Sequence, residues 1–371
     1  MDTRNKIYSL ILIAGFGYGI ASCNQNKTTE NTESVKAQSS NLTEADQALI
    51  KRAGQIFGSL PEVNEAISET EKNKIALGKA LYFDARLSKS GVISCNSCHN
   101  IATYGVDNLP TSPGHKWQFG GRNSPTSFNA ALHKMQFWDG RAENVEEQAK
   151  GPILNPVEMA TPHEDFAVNR IASIPTYETW FKNAFPNEEK PITYNNIANA
   201  IGAFERTLIT PSRFDKYLKG DGNALTEDEK KGMETFINVG CVTCHLGNAI
   251  GGSTFQKFGV NKDYWALTGS KNKDEGRKDV TKSEAEKYFF KVPGLRNIEH
   301  TYPYFHDGSI WDLKEAIAIM SEIQLNKKLN ADEINSIEAF LQSLTGELPK
   351  EALTLPVLPA STANTSKPDF N

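Results

Sequence analysis

The sequence predicts an all-α protein built from two similar halves. Three observations lead there. Helical spacing of apolar residues follows capping signals at Ser68, Thr226 and Asp312. No convincing run of alternating strands appears. Each half repeats one layout: a helix, a cysteine pair, then a long Gly/Pro/Asn-rich loop, near 101–130 and 247–280. At ~100–200 residues per domain, 371 residues suggest two domains, or three. With 39% hydrophobic and 23% charged residues, the composition fits a soluble globular chain. It excludes a collagen, a coiled coil, a fully disordered chain and a polytopic membrane protein. The net charge of −5 provides no global basic field for nucleic acid.

Residues 1–22 read as a signal peptide. Arg4 and Lys6 precede an apolar run, Ile7 to Ile20, of 14 residues. That is short of the ~18–20 needed to span a bilayer as a helix. Ile20-Ala21-Ser22-Cys23 looks like a bacterial lipobox. Lipidation at Cys23 would anchor the chain by acyl groups; the alternative is an ordinary cleaved signal with an incidental cysteine. Residues 23–41 read as a flexible tether, because 24–41 is polar with a single aliphatic Val35. The rest is expected in the periplasm, an oxidising compartment, as a membrane-anchored lipoprotein.

Residues 42–211 form the expected first domain. Behind Ser68-Glu69-Thr70-Glu71, Leu77 and Leu81, and Ile75 and Tyr82, fall on helical spacings. Helical patterns also cover roughly 165–184 and 193–209. Residues 212–346 form the expected second domain. Met233, Phe236 and Ile237 follow Thr226-Glu227-Asp228-Glu229, and Leu313, Ala316, Ile317 and Met320 follow Asp312. Ile334, Ile337, Leu341 and Leu344 continue the pattern, with Gly346 as a C-terminal stop. The 347–371 tail is expected to be extended or disordered.

Four of the five cysteines lie in two copies of C-x-x-C-H: Cys95-Asn96-Ser97-Cys98-His99 and Cys241-Val242-Thr243-Cys244-His245. A lone C-x-x-C could be a redox disulfide or half a zinc site. Two copies, each followed at once by His in an exported chain, point to c-type heme: two thiols for two porphyrin vinyl groups, and an imidazole for the iron. The expected fold is therefore two cytochrome c-like domains, each with one covalently attached heme. The sixth ligand decides whether each iron passes electrons or meets substrate.

Three long stretches then carry a resemblance. They are LGKALYFDARLS before the first motif, FWDGRAENVEEQAKGPILNPVEMA in the middle, and VPGLRNIEHTYPYFHDGSIWDLKEAIAIM near the end. Over nearly all of 55–350 the chain resembles the bacterial diheme cytochrome c peroxidase family. The resemblance implies a peroxidatic N-terminal heme on Cys95, Cys98 and His99, with His115 as its resting distal ligand. It makes Glu158 the catalytic acid/base, a role that suits a carboxylate moving a proton between the two peroxide oxygens. Gln148 matches a second polar residue of that pocket. Trp138 matches a tryptophan between the hemes; a plain core role is compatible with it.

The resemblance also implies an electron-accepting heme on Cys241, Cys244 and His245, with Met320 as distal ligand. Met320 shares its helical register with Leu313 and Ile317, so spacing alone would leave it as core packing. Met/His ligation raises a reduction potential relative to His/His. His306 matches a loop His tied to heme propionates and activation, with a structural role as alternative. Asn123, Thr301 and Pro303 match the ligands of an interdomain calcium ion, a neutral oxygen set that water must complete. No ligand position matches His133, His163 or His300.

The activity so implied is reduction of hydrogen peroxide to water, with electrons from a small c-type cytochrome or a cupredoxin. Reduction of the C-terminal heme, aided by calcium, would rearrange the loop around 105–125 and release His115. The resemblance also implies a homodimer. Two other readings compete. A diheme cofactor-maturation oxidase would carry Tyr in place of Met320 and lack His115. A membrane-tethered diheme electron carrier would have no use for Glu158.

Overall fold

The capping signals perform as helix chemistry requires. The side chains of Ser68, Thr226 and Asp312 accept hydrogen bonds from the N–H groups of Glu71, Glu229 and Glu315, at 3.2, 3.3 and 2.8 Å. Each lies in extended backbone immediately before its helix. The computed structural model describes residues 42–61 and 66–371. The signal peptide, the lipobox with Cys23 and the tether lie outside the described residues.

Among the described residues, ten helices have six residues or more: α1 Glu44–Phe57, α2 Glu69–Phe83, α3 Val145–Leu154, α4 Glu164–Ala172, α5 Pro175–Ala184, α6 Tyr194–Glu205, α7 Arg213–Leu218, α8 Glu227–Val239, α9 Leu313–Leu325 and α10 Ala331–Gln342. Apolar spacing in the sequence marks neither α1 nor α3. It also missed one small antiparallel sheet, β1 Phe255–Lys257 paired with β2 Phe289–Lys291. α10 ends at Gln342, before the expected stop. Gly346 instead donates its N–H to Asn297 Oδ1 at 2.9 Å, where a Cβ would sit 2.2 Å from the Thr210 carbonyl oxygen.

The two halves pack by one rule. α2 crosses α6 at Gly78, where a Cβ would lie 1.7 Å from the Ala200 carbonyl oxygen. α8 crosses α10 at Gly232, where a Cβ would lie 1.8 Å from the Ser336 carbonyl oxygen. In both halves only glycine lets the backbones approach this closely, just upstream of a cysteine pair.

Two principal apolar cores result. One gathers Leu77, Leu81, Tyr82, Ile171, Phe181, Ile197 and Phe204. The other gathers Phe214, Met233, Phe236, Ile337 and Phe340. The ends of the chain cross over between them. α1, counted by sequence with the first domain, packs into the second core: the Phe57 ring lies 5.5, 6.4 and 6.2 Å from those of Phe214, Phe236 and Phe340. The tail returns to the first half. Ala352 enters its core, Arg86 donates to the Pro359 carbonyl at 2.8 Å, and Asp369 N–H donates to the Lys89 carbonyl at 3.1 Å. The described residues belong to one compact unit.

Candidate heme sites and distal pocket

Both cysteine pairs sit on single helical turns, Cys95–Cys98 and Cys241–Thr243. One helical turn brings positions i, i+3 and i+4 to a common side, as macrocycle attachment requires, and Cys241, Cys244 and His245 line one cavity. His99 N–H closes the first turn on the Cys95 carbonyl at 2.9 Å, and His245 N–H closes the second on the Cys241 carbonyl at 3.0 Å. All four thiols are free. Burial pushes Cys98 up to about 11 and Cys241 to about 12, which keeps them neutral.

The two imidazoles are aimed alike. His99 Nδ1 lies 2.8 Å from the Pro125 carbonyl oxygen, and His245 Nδ1 lies 3.3 Å from that of Ile250. A carbonyl only accepts, so Nδ1 carries the proton and Nε2 presents its lone pair. Burial depresses both rings, His245 to about 4, so both stay neutral and able to ligate.

A cavity of about 230 Å³ brings Cys241, Cys244 and His245 together with Met320 of α9. Its walls include Phe236, Leu313, Ile317, Ile337 and Leu341. Two thiols, a neutral imidazole and a thioether on one apolar cavity fit a covalently attached heme with His and Met ligands.

On the N-terminal side, His115 is 5% exposed, and its Nδ1 has no hydrogen-bond partner among the described residues. Its backbone N–H is shared between the carbonyls of Val157 and Glu158, at 2.9 and 2.8 Å. Gly114 permits that docking: a Cβ there would lie 2.0 Å from the Val157 carbonyl oxygen. The hairpin closes through Gly114 N–H to the Gln118 carbonyl at 2.7 Å. Its tip holds Lys116 and Trp117 at φ 56° and 60°, and Trp117 is 81% exposed. Two left-handed non-glycine residues at a solvent-facing tip store backbone strain beside a buried imidazole.

Glu158 lies under this hairpin. Asn155 Nδ2 donates to its Oε1 at 2.7 Å. Burial raises its pKa, the strongest influence on it, while Arg141 and the Asn155 hydrogen bond oppose the shift. Gln148 is half-buried on α3, with no side-chain hydrogen bond to Glu158 or His115 among the described residues.

The segment 122–125 joins the two sites. Arg122 binds Asp139 and Asp274, both at 2.5 Å. Asn123 N–H donates to the His306 carbonyl at 2.7 Å, and the Asn123 carbonyl accepts from Trp138 Nε1 at 2.9 Å. Ser124 pairs with Ser112 at 2.6 Å, and Pro125 holds His99. Trp138 and His306 line the C-terminal cavity, with ring centroids 6.4 Å apart. His306 is buried, stacks on Phe290 at 4.2 Å and leaves Nε2 without a hydrogen-bond partner among the described residues.

Asn123, Thr301 and Pro303 line this cavity too. Asn123 Nδ2 donates to the Leu109 carbonyl at 3.0 Å, which turns its amide oxygen the other way. Tyr302-Pro303 is cis. His163 caps α4 and meets Phe166 edge-on, while His300 stacks on Tyr104 at 4.2 Å. His133 is half-buried and hydrogen-bonded to Lys291, a pairing the sequence did not signal. Pro125, Ile250 and Asn155 were missed for a related reason: two act through backbone carbonyls, and the third resembles any polar residue before a proline.

The family model for di-haem cytochrome c peroxidases matches residues 72–223. The chain is 49% identical over 322 residues to the cytochrome c551 peroxidase of Nitrosomonas europaea, covering 86% of this chain and 94% of the relative. It is 48% identical over 336 residues to that of Pseudomonas aeruginosa, covering 88% and 94%. Among solved structures, a MauG-like protein associated with microbial copper homeostasis superimposes with a TM-score of 0.65 at 27% identity, covering 84% of this chain and 96% of that one. By these likenesses the chain belongs to the di-haem cytochrome c peroxidase family.

Proposed function

We propose that this protein reduces hydrogen peroxide to water with electrons from a small redox protein, and that departure of His115 opens its N-terminal site. Two hemes follow from family membership and the two C-x-x-C-H turns. The overall reaction consumes one peroxide, two electrons and two protons and yields two waters. When bound, the hemes supply electron storage and the metal position at which the O–O bond is broken.

The chain's own residues do the rest. His99 and His245, fixed by backbone carbonyls, present Nε2 to the metals. Met320 offers its thioether across the second cavity. Ionised Glu158 takes the proton from the inner peroxide oxygen and returns it to the leaving oxygen, with Asn155 steadying the carboxyl. Gln148 lines that pocket as a second polar group. Trp138 lies on the electron route between the sites, and His306 helps couple them. Asn123, Thr301 and Pro303 would hold calcium through oxygen atoms, and the ion would stiffen the 122–125 segment. That segment, tied to His306, Ser112 and His99, would carry a change at the C-terminal site to the His115 hairpin. This is a two-state element biased by redox state.

One observation carries the proposal: a buried His115 whose Nδ1 has no hydrogen-bond partner among the described residues, on a hairpin with a strained tip and a backbone pinned to Glu158. The test is peroxide turnover by fully oxidised and by one-electron-reduced enzyme, in calcium, with a reduced c-type cytochrome as donor. Turnover that needs prior reduction supports the gate. Equal turnover in both states removes it, and no turnover with several donors would leave an electron carrier.

The N-terminal pattern adds an expectation for placement. The mature chain is tethered in the periplasm by lipid on Cys23, and Cys23→Ser should release it from membranes. The donor is a c-type cytochrome or a cupredoxin that offers a basic face to this acidic protein. Rates should therefore fall with added salt. The working form is a homodimer, each copy carrying two heme domains, 42–211 and 212–346, with α1 completing the second core.

A further inference from the structure

Lys291, the last residue of β2, has no task in that scheme. It is 6% exposed. Its Nζ lies 2.9 Å from His133 Nδ1, and no carboxylate of the described residues is within ion-pair distance. The acid that influences it most, Asp139, is held by Arg122 and Arg141. Burial pulls the ammonium down to about 7 even though the Asp139 charge opposes the shift. A buried cation without a counter-ion is costly, so the surroundings of Lys291 call for an anion.

The position is built, not incidental. Lys291 N–H donates to the Trp138 carbonyl at 2.7 Å. The His133 ring fits only because residues 252 and 294 are glycines. Cβ atoms there would lie 2.1 Å from its Cδ2 and 2.8 Å from its Nε2. Lys291 and His133 both line the cavity that holds Cys241, Cys244, His245 and Met320. They form a polar corner on walls that are otherwise largely apolar. Porphyrins of c-type hemes carry two propionate carboxylates at their edge, and these are the anions such a cavity would receive.

We propose that Lys291, oriented by His133, binds a propionate of the heme attached at Cys241 and Cys244, and that its charge raises that heme's reduction potential. The inference rests on the diheme reading. A cation beside the porphyrin stabilises the added electron, and a paired propionate offers less negative field to the metal. His133 accepts from the ammonium through Nδ1 and keeps it pointed into the cavity. This gives a role to a histidine that no ligand position explains.

The test is a spectroelectrochemical titration of the holoenzyme and of Lys291→Met, Lys291→Gln and Lys291→Arg. Heme absorbance and protein mass first confirm that both hemes are attached, which separates failure of the diheme reading from failure of this one. At a fixed mediator potential, Lys291→Met and Lys291→Gln should lower the reduced-to-oxidised ratio of the His245-ligated heme at least tenfold, about 59 mV for one electron. The His99-ligated heme should shift much less, and Lys291→Arg should stay within threefold of the unmodified enzyme. An unchanged C-terminal potential in the neutral variants overturns the proposal. Should those variants lose the heme, infrared difference spectra of the unmodified enzyme with 13C-labelled propionates decide. An ionised-propionate band that moves on deuterium exchange supports the pair, and its absence rejects it.

Discussion

At the residue scale, the proposed proton transfer depends on Glu158 being partly dry. Burial raises its pKa, so it ionises at higher pH than an ordinary glutamate, near 4.3. It works as a base only when ionised, so turnover should fall as pH drops through that raised value. A rate-against-pH profile checks this, and Arg141→Gln should move the acid limb upward, because the Arg141 charge opposes the shift. Glu158→Gln removes the proton shuttle and should cost roughly 10²–10⁴-fold in kcat while both hemes stay attached. His115→Gly should free the N-terminal metal position, giving turnover by oxidised enzyme without prior reduction. Cys95, Cys98, Cys241, Cys244 and both proximal histidines were legible from spacing alone. His115, Glu158 and Met320 needed the longer motif resemblance. Pro125 and Ile250 were not legible, because a backbone carbonyl looks the same in every residue type.

At the scale of elements, the proposed gate takes the 113–119 hairpin as its moving part and 122–125 as its coupling. The hairpin docks through Gly114 and the His115 N–H, and a Cβ on Gly114 would collide with the Val157 carbonyl. Gly114→Ala should therefore lift His115 from its seat, and a high-spin ferric signal should appear in resting oxidised enzyme. Persistence of a low-spin resting spectrum would show that the docking does not hold the ligand. The long loops near 101–130 and 247–280 were visible in sequence as places rich in Gly, Pro and Asn. Their internal order was not, because it comes from contacts across the chain, such as Arg122 with Asp274 and Lys291 with His133. The sheet of β1 and β2 was invisible for its size: three residues per strand leave no alternation to read.

In the whole molecule, each half borrows from the other's sequence. α1 completes the second core, and the tail straps the first. Hydrophobic periodicity identifies a buried face but not its partner, so the crossover could not be read from 42–57 alone. Phe57→Ala should cost about 3–5 kcal/mol, seen as a lower denaturant midpoint for the C-terminal heme environment. The two crossings at Gly78 and Gly232 explain how one layout serves two sites with different tasks. The scaffold is repeated, and what accompanies it is not: His115 sits on a hairpin with a strained tip, and Met320 sits on the long helix α9. On that asymmetry the proposed mechanism gives switching to the first site and electron intake to the second. Electron paramagnetic resonance of the oxidised and the one-electron-reduced enzyme in calcium tests this most directly. Two low-spin ferric signals are expected when oxidised, then, after one electron, loss of the C-terminal signal and conversion of the N-terminal one to high spin. A low-spin N-terminal signal in both states, with peroxide turnover intact, would contradict it.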